Sequence, residues 1–206
     1  MVNKKLDNLT EKAILTAAGK VFTSKGFAAA RMDDIAKEAG INRALLHYYF
    51  RSKNNLFDLV FADRFKEFFS GLSRIILSDK KLTEKIKELV SHDITMIRQH
   101  PDLPLFVMQE ISRNPERLIS YAQKAGTSFL LIKNFRTQVS EEVKKGTIRN
   151  IDGGQLLINI MSLAIYPFIA RPMISAMHQY NDADFEKMID KRKKEVADFI
   201  INALKP

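Results

Sequence analysis

The sequence predicts an all-α protein of about nine helices, with a short basic module over residues 1–53 and a larger helical module over 54–206. Three observations carry that prediction. Apolar residues recur at intervals of three and four along almost the whole chain, which is the spacing of one buried helix face. No stretch alternates apolar and polar residues as a half-buried strand does, and neither a fixed-period repeat nor a low-complexity tract is present. The periodic segments are punctuated by Pro101, Pro104, Pro115, Gly146 and the "DGG" of 152–154.

Taken in order, Ile14, Ala17, Ala18, Val21 and Phe22 define a first helix, entered near Asn8 with Glu11 as its capping-box partner and closed at Gly26. A short second helix, Met32 to Ala39, buries Ile35 and Ala39 and stops at Gly40. A third starts after Asn42, an N-cap residue, and reaches Phe50. Ser52 then caps a long fourth helix that carries Leu56, Leu59, Val60, Phe61 and Phe65 toward the larger module. Further helices are expected at 82–99, 103–113, 115–145, 153–178 and 182–204.

Composition narrows the function classes. In 206 residues, 33 Lys and Arg stand against 24 Asp and Glu, a net charge of +9, which favours polyanionic partners, nucleic acid or an anionic membrane surface. Residues 1–53 hold 10 Lys or Arg against 5 Asp or Glu, so the first module is the more basic. The absence of Cys excludes disulfides, thiol nucleophiles and thiolate metal sites, and suits a reducing cytoplasm. The N-terminus lacks the apolar run of a secretory signal. The most apolar stretch, "LLINIMSLAIYPFIA", is interrupted by Asn159, Ser162 and Pro167 and falls short of the roughly 20 residues of a membrane span, so no membrane partner is expected.

Two short helices joined by "GIN" form a helix-turn-helix by length and turn chemistry, with Gly40 suited to a positive φ. At about 100° per residue, Leu46, Tyr49 and Phe50 share an inward face. Ala44 and Tyr48 then point outward, flanked by Arg43, Leu45 and His47. A small Ala44 permits close approach to a groove, Arg43 can reach a guanine edge or a phosphate, Leu45 can pack on a thymine methyl, and His47 and Tyr48 can bond phosphates. Lys53, in the first turn of the fourth helix, is expected to hold a phosphate. The bland alternative is a short amphipathic helix that simply has a polar side.

The stretch Thr10 to Phe57 closely resembles the DNA-binding domain of the tetracycline-repressor (TetR) family. The matching points are Ile14, Ala17 and Phe22, "KGF" at 25–27, "DDIAKEAG" at 33–40, and "LHYYF" at 46–50 followed by Ser52, Lys53 and Leu56. The resemblance implies a homodimeric regulator, more often a repressor, whose recognition helices enter the major groove of double-stranded DNA at a palindromic operator. It places DNA contacts on Asn42, Arg43, Ala44, Leu45, His47, Tyr48 and Lys53. Where relatives often carry a hydroxyl residue this chain has Ala30 and Arg31, and Arg31 is expected to supply a charge instead. Leu45 stands where many relatives have Thr, and the common Tyr-His order is reversed at His47 and Tyr48.

The same resemblance assigns the larger module to dimerisation and to a small apolar or amphipathic inducer. For the dimer contact, Phe185, Met188, Ile189, Val196 and Phe199 form a stripe on a charged helix, joined by Leu163 and Pro167 on the helix before; an intramolecular core is the alternative. For a pocket, Phe61, Phe65, Met96, Phe106, Met108, Phe129, Met161 and Tyr166 offer an adaptable lining with Gln109 and Asn159 as polar groups, each of which can equally be core. No cofactor is expected. An enzyme built on His92, Asp93 and His100 is disfavoured, because a nucleophile elbow, a phosphate loop and metal-ligand spacing are all missing.

Overall fold

In the computed structural model, the backbone is described for residues 2–101, 129–206 and isolated positions between 104 and 123; the side chains of 2–6, 61–65 and 129 lie outside the description. The described residues are helical, without a strand. The helices are α1 (Val2–Ala29), α2 (Met32–Glu38), α3 (Arg43–Tyr49), α4 (Lys53–Ile76), α5 (Leu82–Gln99), α6 (Phe129–Lys144), α7 (Gly153–Ile169), α8 (Arg171–His178) and α9 (Asp182–Ala203). The expected 103–113 helix and the start of 115–145 fall largely outside the described residues, although Pro104, Val107, Met108, Ser112 and Glu116 are helical.

Two compact units are present, one of residues 1–67 with 105–121 and one of 68–104 with 122–206. In the first, Ile14, Ala17, Ala18, Val21 and Phe22 of α1 pack with Ile35, Leu46, Phe50, Leu56 and Phe57. Phe22, Phe27 and Phe57 form an edge-to-face cluster, with Phe22 and Phe27 each about a ring's width from Phe57 at 5.0 and 4.6 Å. α1 starts at Val2 rather than near Asn8, since nothing in "VNKKLDN" breaks a helix. Its regular course ends at Gly26, whose φ of 72° is open to glycine. α2 buries Ala36 beside Ile35, and Ala39 is only half-buried: Ala39 lies at the C-cap, where the chain turns away.

In the second unit α5 packs against α7 and α9 around Ile86, Leu89, Val90, Ile94, Ile160, Phe185, Ile189 and Ile200. The expected single helix over 153–178 is instead two, α7 and α8, bent by 68°. Pro172, in the first turn of α8, has no N–H to continue the ladder. Pro167, inside α7, frees the carbonyl of Leu163 in the same way. That carbonyl accepts from Arg192 of α9, with Nε at 3.1 Å and Nη2 at 2.9 Å, so the helix defect is repaired from outside. Among the described residues no single helix is long and apolar enough to cross a membrane.

Candidate nucleic-acid interface

The turn between α2 and α3 is a Schellman motif. Ile41 N donates to Ala36 O at 3.0 Å, Gly40 N donates to Lys37 O at 3.2 Å, and Gly40 takes a φ of 67°. Asn42 caps α3, its Oδ1 accepting from Leu45 N at 2.8 Å, which leaves its NH2 group facing away from the helix end. The aim of α3 follows from these two short devices and from the anchors Leu46 and Phe50, both in the core. Tyr49 is half-buried rather than fully inward, because its hydroxyl donates to Asp7 Oδ1 at 2.7 Å; that carboxylate raises the Tyr49 pKa above its ordinary value.

The opposite side of α3 is open. Tyr48 is 78% exposed, Leu45 is 37% exposed, Ala44 and Arg43 are exposed, and His47 is half-buried. Arg43 lies between Asp33 (3.3 Å) and His47 Nε2 (3.5 Å). Both contacts are long and solvent-exposed, worth about 0–1 kcal/mol at most, so the guanidinium can leave them for a phosphate or a base edge. Arg31 is exposed at the N-terminus of α2, its backbone N–H held by Asp34 Oδ2 at 3.1 Å. The Lys25 ammonium at 2.8 Å and then that N–H hold the Asp34 carboxyl below its ordinary pKa. Glu38 pairs with Lys20 at 3.1 Å. Asp34 and Glu38 of α2 are thus held by Lys25 and Lys20, Asp33 is the carboxylate that Arg43 would leave, and the outward face of α3 carries no acidic group.

Lys53 departs from expectation. Its ammonium, expected at a phosphate, donates to Phe27 O at 2.8 Å, Ala30 O at 3.0 Å and Ala28 O at 3.5 Å, and lies 4.5 Å from the Phe27 ring centre. Three carbonyls match the three donors an ammonium has, so Lys53 locks the end of α1 to the start of α4. The sequence signal was available in retrospect: carbonyls released at Gly26 need donors, and a long basic side chain nearby can supply them.

In the larger unit Phe185, Ile189 and Val196, expected at a dimer surface, are buried in their own core, because α5 and α7 cover that side of α9, and Pro167 of α7, expected there too, is also buried. Leu163 and Met188 pack partly against the core, and Phe199 is 65% exposed. Among the pocket candidates Met96 is buried and Met161 half-buried. Asn159 and Tyr166 are exposed, on the side of α7 away from Leu156, Ile160 and Ala164, and Met108 is also exposed. Phe106 and Gln109 lie outside the described residues, as do the side chains of Phe61, Phe65 and Phe129. Among the described residues no group of three His, Cys, Asp or Glu could hold a metal ion. His92 does not pair with Asp93; its Nε2 lies 3.1 Å from Phe68 O of α4, and burial lowers its pKa.

The pattern of the family described as "Bacterial regulatory proteins, tetR family" matches residues 14–60, and that of the "Tetracyclin repressor-like, C-terminal domain" matches 83–200. The HTH-type transcriptional regulator RutR of Escherichia coli K12 is 26% identical over 197 residues, 95% of this chain and 91% of RutR. The HTH-type transcriptional repressor NicS of Pseudomonas putida is 30% identical over 101 residues, 49% of this chain and 48% of NicS. The fold is shared with the transcriptional regulator FadR of Bacillus subtilis in complex with stearoyl-CoA, at a TM-score of 0.62 and 15% identity over 94% of this chain and 98% of FadR. With both modules matched, the chain belongs to the tetR family of bacterial regulatory proteins and is a DNA-binding transcriptional regulator, not an enzyme.

Proposed function

We propose that the protein is a homodimeric cytoplasmic repressor that sets one α3 in the major groove at each half of a palindromic operator and is released by a small amphipathic molecule. The outward face of α3 carries the reading: Arg43, Ala44, Leu45, His47 and Tyr48 present donors, a methyl and an apolar contact on a helix whose other side is anchored. Asn42 and Arg31 flank it as phosphate contacts. In this reading the functional division falls at 53/54, at the start of α4, whereas the compact units divide at 67/68, within that helix.

Exposed apolar side chains support self-association. Ile158 and Tyr166 of α7, Met173 and Met177 of α8 and Phe199 of α9 are all open, and they replace Phe185, Ile189 and Val196 as the dimer face. A ligand that favours a spacing of the two α3 helices other than the half-site separation of about 34 Å would release the operator. NicS is a repressor by name and FadR was captured with an acyl-CoA, which supports both parts of the reading. Selection of bound duplexes from a random pool, with light scattering on the purified protein, tests it. The expected result is an inverted repeat bound by a dimer. Binding that falls steeply with salt and prefers no sequence would refute specific regulation.

A further inference from the structure

A carboxyl group without a partner sits within the apolar face of α5. Asp93 is 1% exposed, and neither of its oxygens has a hydrogen-bond partner among the described residues. The residues a turn away on the same face, Leu89, Val90, Met96 and Ile97, are apolar and buried. Buried polar atoms in native proteins nearly always find partners, and an unpaired carboxyl is strongly disfavoured there.

Among the described residues, Lys85, Arg98 and Arg192 of this unit are engaged elsewhere. The Lys85 ammonium donates to Ile76 O at 2.7 Å and Gln138 Oε1 at 2.8 Å. Arg98 pairs with Glu186 at 2.9 Å and with Asp190, and Arg192 gives two donors to Leu163 O. His92, the neighbour in sequence, faces Phe68 O. Burial alone pushes the Asp93 carboxyl up to about 7.

We propose that Asp93 is the polar anchor of the effector site and selects a molecule with an apolar body and a cationic nitrogen, such as a primary ammonium or an amidinium. The proposal rests on the effector-released reading above. Both carboxyl oxygens are buried and unpaired, so one cation admitted to the site can donate to the pair of them and restore the ionised form. The apolar neighbours suit a hydrocarbon body. A neutral alcohol offers no charge to offset the ionised carboxyl, and a carboxylate is repelled by that form.

The test uses n-octylammonium, n-octanol and octanoate as probes of equal chain length, titrated by calorimetry into the full-length protein and its Asp93→Asn variant, with binding to the selected operator duplex read in parallel. Wild type is expected to bind n-octylammonium at least about tenfold more tightly than n-octanol, and Asp93→Asn to lose that preference. Equal binding of amine and alcohol by wild type, no measurable binding of the amine, or a preference kept in Asp93→Asn would each overturn the proposal. If the amine fails while the duplex is still bound specifically, the regulator stands and the anchor falls. If the duplex is not bound either, both fall.

Discussion

Replacing Asp93 with Asn keeps the size of the side chain and removes its titration, so stability should change in a way that pH controls. The carboxyl titrates at about 7 in the folded protein against an ordinary 3.8, by burial alone. A raised acid pKa means that the folded state holds the proton after the unfolded state has lost it. The penalty is therefore absent below about pH 4, grows as pH rises through the window, and is complete above about pH 7. At about 1.36 kcal/mol per unit, roughly three units give about 4 kcal/mol at pH 8 and about 2 kcal/mol at pH 5. Urea unfolding of wild type and Asp93→Asn at several pH values is the assay. The stability of Asp93→Asn relative to wild type should increase by about 2–3 kcal/mol between pH 5 and pH 8. Stability curves that run parallel across that range would show that Asp93 is neutralised or paired in solution, and would refute the reasoning.

Three further outcomes follow from the packing. Lys53→Met should lower stability by about 2–3 kcal/mol, because it leaves the carbonyls of Phe27 and Ala30 unpaired; chemical denaturation reads this, and an unchanged midpoint would contradict the lock. Arg192→Met should cost about 1–3 kcal/mol by orphaning Leu163 O, and Pro167→Ala in that background should recover part of the loss, since residue 167 would regain an N–H for that carbonyl. A double-mutant cycle with no coupling would sink that account. Gly71→Ala should destabilise, as its Cβ would collide with the His92 ring, yet in a His92→Ala background the same change should stabilise by up to about 1 kcal/mol through helix propensity. Thermal melts of the four proteins distinguish the two signs.

The helix-turn-helix is legible because its determinants are local. Gly40 with a positive φ, Asn42 and Ser52 as caps, and the spacing of Leu46 and Phe50 each act within a turn of themselves. The reach of Lys53 is not local: the ammonium settles on carbonyls more than twenty positions earlier in the chain. Periodicity likewise says that Phe185, Ile189 and Val196 share a buried face, but not whether their own chain or a second copy covers it. On α7 apolar residues lie on both sides, so Leu156 and Ile160 go inward while Ile158 and Tyr166 stay out, a distinction the hydrophobic pattern alone does not make. Asp93 shows the reverse case. One carboxylate at an apolar register position is visible in the sequence, but its isolation appears only once Lys85, Arg98 and Arg192 are seen to be engaged elsewhere.

The central claim is that the outward side of α3 reads DNA. Equilibrium binding of wild type, Arg43→Ala and Tyr48→Ala to the selected operator and to a scrambled duplex, at one fixed salt concentration, tests it most directly. Each substitution should cost about 1–3 kcal/mol on the operator and much less on the scrambled duplex. Full operator affinity in both variants would contradict the claim.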